Sequence, residues 1–95
     1  MLAKFIVYFS RRSGSLEQIL TVLEEVAAEL NEPVHIEKVN LEDCPDLVFS
    51  EGVLAAPATD VVNGEVHRFI GIPPKQDLIA ILSMFKELRR SDSAD

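Results

Sequence analysis

The stretch Gly52-Val53-Leu54-Ala55-Ala56-Pro57-Ala58-Thr59-Asp60-Val61-Val62-Asn63-Gly64-Glu65-Val66 decides how this chain folds. Asn63-Gly64, between Val61-Val62 and Glu65-Val66, is the sequence preferred by a two-residue type I′ hairpin turn, because both central residues must accept positive φ. The stretch therefore predicts a strand entering the turn through Val62 and a return strand over residues 65–70. In that register Val61 faces Val66 and Asp60 faces His67, a cross-strand ion pair worth about 0.2–1 kcal/mol. A catalytic Asp–His pair also needs a nucleophile in reach, and the sequence offers none there.

Upstream, Lys4-Phe5-Ile6-Val7-Tyr8-Phe9 is a continuous apolar run rich in aromatic and branched residues, the mark of a strand buried on both faces and central in its sheet. Ser15-Leu16-Glu17-Gln18 has the form of a capping box. Leu16, Ile19, Leu20, Leu23, Val26, Ala27 and Leu30 then follow at helical spacing, until Asn31-Glu32-Pro33 stops the helix. Residues 34–39 form a shorter, more polar strand, suited to an edge. Asp43-Cys44-Pro45 opens a short helix, with Asp43 as cap, Pro45 in the first turn and Gly52 at the end. Downstream, Gly71-Ile72-Pro73-Pro74 breaks the fourth strand and starts a last helix with Leu78, Ile81, Leu82, Phe85 and Leu88 on one face. Residues 91–95 read as a frayed polar tail, leaving one domain over 1–90.

The order is β-α-β-α-β-β-α. Its first βαβ unit should be parallel and right-handed, and its last two strands antiparallel. The fold class is α/β: a four-stranded mixed sheet covered by helices on both faces. Ninety-five residues are enough for one modest core. No apolar run approaches the roughly 20 residues of a membrane span. The start, Met1-Leu2-Ala3-Lys4, lacks the basic segment and cleavage site of a signal peptide, so a cytoplasmic location is expected and a membrane is not. A net charge of −7, spread along the chain, argues against nucleic acid as partner and for solubility. Cys44 is the only cysteine, which excludes an internal disulfide and a multi-cysteine zinc site. His35 and His67 lie far apart in sequence and are weak ground for a metal. Neither metal nor cofactor is expected.

This order, with the alanine-rich approach to Pro57 ahead of an Asn-Gly hairpin and Gly71 before the last helix, resembles the thioredoxin/glutaredoxin superfamily from Phe5 to about Leu88. The resemblance implies a thioredoxin-like fold in which the bond preceding Pro57 is cis and Pro57 faces the active site across a groove. It also places a C-x-x-C motif where the first strand gives way to the first helix, at Ser10 and Ser13 or, three residues later, at Ser13 and Leu16. No cysteine occurs anywhere in residues 1–43. Disulfide exchange needs a thiolate, and a serine hydroxyl does not ionise near neutral pH. The dithiol mechanism is therefore absent. A more distant similarity, in the cysteine-free first loop and the alanine-rich approach to the proline, is to the circadian clock protein KaiB, whose relatives act by binding proteins. The Asn63-Gly64 hairpin is closer to an ordinary thioredoxin-type domain.

The candidate residues follow. Ser10, Arg11, Arg12 and Ser13, with Ala56 and Pro57, line the groove that the resemblance implies. The small strip of Ala55, Ala56 and Ala58 beside Tyr8, Ser10 and Arg12 would admit an extended peptide, or else it is tight packing. The first expectation is thus a non-catalytic module that binds a protein or peptide. Cys44, near a helix start, carries a second: a single-thiol redox protein. The plainer reading of Cys44 is a first-turn residue without redox role. Arg11 and Arg12 at a helix start give a third, a small-anion sensor, against the plain reading of a solvated loop.

Overall fold

The run that reads as a central strand takes that place in the computed structural model, which describes residues 3–12, 14–31, 33–53 and 55–93, the last from 86 onward as backbone. Candidate residue Ser13, Glu32 of the helix stop, and the Leu88 side chain lie outside the described residues. Strand β1 (Ala3–Phe9) pairs in parallel with β2 (Val34–Asn40) and antiparallel with β3 (Ala58–Asn63), which pairs antiparallel with β4 (Glu65–Ile70). The sheet order is β2-β1-β3-β4. Helices α1 (Leu16–Leu30), α2 (Asp46–Ser50) and α3 (Lys75–Ser93) complete the order read from the sequence.

Alternation along the strands separates two cores. On one face Ala3, Phe5, Val7 and Val61 meet Ile19, Leu23 and Val26 of α1 and Leu78, Leu82 and Phe85 of α3. Burying each of these larger side chains stabilises the fold by about 1.5–3 kcal/mol. The other face carries Tyr8, Ala58 and Val53, with Ile6, Val39 and Leu41 packed on them. Its cover is lighter. Helix α2 buries no residue of its own and leaves Phe49 88 % exposed, so Leu41 and Val53, on either side of α2, supply the apolar cover.

Several local expectations are corrected. The hairpin turns around Gly64 alone, at φ 81, with Asn63 opposite Glu65. Pairing therefore shifts by one residue: Asp60 faces Arg68, and His67 faces Val61 on the other side of the sheet. A one-residue shift moves a side chain to the opposite face. His67 accordingly lies 6.0 Å from the Phe85 ring and belongs to the α3 side.

The Ser15–Gln18 capping box does not form. Gly14 and Ser15 both take φ 61, and an N-cap side chain in the left-handed region is not aimed at the first turn, so Ser15 makes no side-chain cap bond. Asp43 does not cap α2 either: its N–H donates to the Asn40 carbonyl in a turn, and α2 starts after Pro45. Cys44 thus precedes α2 and does not stand in its first turn. Helix α3 runs to Ser93, through the first residues of the polar segment 91–95.

Candidate functional site

Parallel pairing brings the C-terminal ends of β1 and β2 to one end of the sheet, and antiparallel pairing starts β3 at that same end. Three connections meet there: residues 10–15 into α1, residues 41–45 into α2, and residues 55–57 into β3. Hydrogen bonds tie the first two together. Leu41 N–H donates to the Phe9 carbonyl at 2.9 Å, and Arg11 N–H donates to Glu42 Oε1. Glu42 is held in turn by its own N–H on Asn40 Oδ1 at 2.9 Å.

Ser10 and Arg11 border an open depression of about 490 Å³ whose far wall is Gly14, Ser15 and the first turn of α1. Arg12 is exposed. The Arg11 side chain is 88 % exposed and its Nε lies 4.0 Å from the Glu42 carboxylate, so the arginine half of an anion site already faces a negative charge. Ala56 and Pro57 are half-buried and do not line the depression; Ala55 is exposed. Ala58 and Tyr8 are packed core beneath this end of the sheet. Cys44 is an exposed free thiol, its N–H donated to the Asn40 carbonyl at 3.2 Å. His35 and His67 stand on the two edge strands and do not come together.

The segment ahead of β3 is fastened at both ends. The Ala56–Pro57 bond is cis, and the Pro57 carbonyl accepts from Gly71 N–H at 2.8 Å. At the other end, Arg68 Nη1 donates to the Gly52 carbonyl at 3.0 Å. The same guanidinium forms a forked pair with Asp60, Nε to Oδ1 at 2.6 Å and Nη2 to Oδ2 at 2.8 Å, and lies 5.6 Å from the Tyr8 ring centre. Asp60 is 3 % exposed, and its bidentate bonds hold the Arg68 proton more firmly than in water. Burial, chiefly, pushes the Tyr8 phenol above 10.0, with the Asp60 and Glu51 carboxylates adding to it and Arg68 opposing. Arg68 is absent from the candidate residues above, and Asp60 appears there only as a partner for His67. The signal for the pair was an acid between Ala58 and Val61-Val62 in a strand entering the hairpin, which when buried demands a cation on the neighbouring strand.

No protein-family model matches the chain. Thioredoxin from Methanocaldococcus jannaschii is 41 % identical over 58 residues, which span 61 % of this chain and 66 % of that protein. Among solved structures, chloroplastic thioredoxin z superposes with a TM-score of 0.74 at 19 % identity, covering 90 % of this chain and 80 % of its own. The malaria parasite's thioredoxin-2 gives 0.70 at 16 %, covering 87 % and 82 %. Another malarial protein gives 0.71 at 16 %, covering 88 % and 97 %. At these identities the superpositions speak for the fold alone.

Proposed function

Because the chain belongs to the thioredoxin-like superfamily yet holds a single cysteine, we propose that it is a non-catalytic member that binds a protein or peptide at the end of the sheet where loop 10–13 meets the Pro57 loop. One observation carries the reading. Both connections are anchored, the first at Arg11 on Glu42 and the Pro57 loop through Arg68 and Gly71, while the positions where a C-x-x-C pair belongs carry no sulfur. A pre-ordered surface lowers the entropy lost on binding. What is kept is the recognition apparatus; what is gone is the electron carrier.

The test has two arms. In a disulfide-reductase assay, with an active thioredoxin as control, wild type and Cys44→Ser are both expected to be inactive. In panning against a random peptide library, sequences enriched on wild type should lose at least tenfold in affinity for Arg12→Glu and for Pro57→Ala. Equal retention by both folded variants would remove this surface from consideration.

A second reading uses Cys44. Its exposed thiol lies on the 41–45 turn, which is bonded to the same end of β1. In this reading the Cys44 thiolate attacks one sulfur of a small disulfide, forms a mixed disulfide and expels the other sulfur as thiolate. Reductase activity present in wild type and lost in Cys44→Ser would favour it over the first.

A further inference from the structure

Helix α2 buries no residue of its own. Asp46 and Phe49, three positions apart on its outward side, are both exposed, while Leu47 and Val48 between them are half-buried. One exposed hydrophobe is ordinary on a protein surface. Phe49, at 88 % exposure, has apolar company. Leu41 and Val53, which flank α2, belong to the lightly covered core around Tyr8 and Ala58, and so place the helix on that side of the sheet. On the same side Ile70 opposes Ala58 and is 59 % exposed. The Gly52 carbonyl, bonded to Arg68 Nη1 at 3.0 Å, brings the end of α2 to the β4 position two residues before Ile70.

Charge selects the occupant of this face. Residues 39–67 contain six acids and neither lysine nor arginine. Asp60 is taken by Arg68 and Glu42 by Arg11, and Glu65 stands 3.8 Å from His67 on the other side of the sheet. The other three, Asp43, Asp46 and Glu51, lie around α2. Among the described residues, no lysine or arginine pairs with any of them. Uncompensated carboxylates beside an exposed phenyl ring repel a second copy of a chain with net charge −7, and equally a nucleic acid or an anionic lipid surface. They attract a cation that carries an apolar body.

We propose that the outer face of α2 docks a cationic amphipathic segment of another protein. The segment's apolar side chains cover Phe49 and Ile70, and its lysines or arginines meet Asp46 and Glu51. A lysine or arginine also stacks favourably over an aromatic ring, so one side chain can answer both the Phe49 ring and a neighbouring carboxylate. None of these residues belongs to the peptide site at the end of the sheet, so the two surfaces are separate. Added salt weakens this complex, because the charges that form it are exposed and screened.

The probe is a labelled synthetic peptide of about 11 residues, three helical turns, with leucine on one face and lysine on the other. Fluorescence anisotropy with the full chain should show saturable binding that weakens with salt, and no binding when glutamate replaces lysine in the peptide. Phe49→Ser, which leaves the fold intact because the side chain is already in water, should lose about tenfold in affinity. D46N/E51Q should lose about fivefold. E24Q/E25Q, which removes two charges from exposed positions of α1, should change affinity little. Circular dichroism checks that each variant is folded. Absence of binding by wild type, or unchanged affinity in Phe49→Ser, overturns the proposal. So do equal losses in the two charge variants, and an oligolysine of equal length that binds as tightly as the probe.

Discussion

Ser15 shows how one backbone angle overrides a side-chain motif. Ser-x-x-Gln reads as a capping box, but Ser15 stands at φ 61 immediately after Gly14 at the same φ. The left-handed region costs a non-glycine residue roughly 1–2 kcal/mol, and glycine's larger unfolded-state freedom returns about 0.5–1 kcal/mol of that. Ser15→Gly is therefore expected to stabilise the domain by about 0.5 kcal/mol, and Ser15→Ala to change it little. A true capping serine would lose about 1 kcal/mol on replacement by alanine. Urea midpoints of the two variants decide it, and a loss of about 1 kcal/mol in Ser15→Ala would sink the argument. The two positive φ values were not legible, because Ser-Gly-Ser serves caps and left-handed turns alike.

At the scale of elements, Arg68 joins β4 to β3 through Asp60 and both to the approach of the Pro57 loop through Gly52. Arg68→Val strands the Asp60 carboxylate at 3 % exposure and is expected to cost roughly 3 kcal/mol, the lower end for a broken buried pair because Arg68 itself is partly open. Replacing both, Asp60→Val with Arg68→Val, should cost less than the single change, since valine suits a strand and no charge remains unpaired. Denaturant melts of the two variants give the comparison. A double variant less stable than the single one would contradict it. The order of elements was legible here, since continuous apolar strands, a 3.6-residue period and an Asn-Gly turn are strong signals. The pairing was not. Asn63-Gly64 admits both a two-residue turn and one centred on Gly64, and that one-residue choice decides whether Asp60 meets His67 or Arg68. The candidate site was legible to the same depth: the topology brings its loops to one end of the sheet, while their anchors depend on the register.

Across the whole molecule, one tyrosine and no tryptophan make Tyr8 the sole absorber of its class. Its phenol is held above 10.0 mainly by burial, so the folded state favours the neutral form. A raised pKa contributes stability that is complete below 10.0 and is lost as pH rises through the folded value. The tyrosinate absorbance band should therefore appear at higher pH in folded protein than in urea. Tyr8→Phe should flatten the fall in stability above pH 10.0. A folded midpoint at or below the denatured one would reverse the sign and the argument with it.

Arg68 also has a consequence that crosses these scales. One side of its guanidinium holds Asp60 in β3 and the other the Gly52 carbonyl, six residues before Ala58 opens that strand. The hairpin and the approach to the Pro57 loop are therefore ordered through one side chain. Whatever factor order at one end adds to order at the other must be returned equally. A ligand that stiffens the loop would slow amide exchange in the hairpin, and the change in rate would measure the coupling through a single side chain.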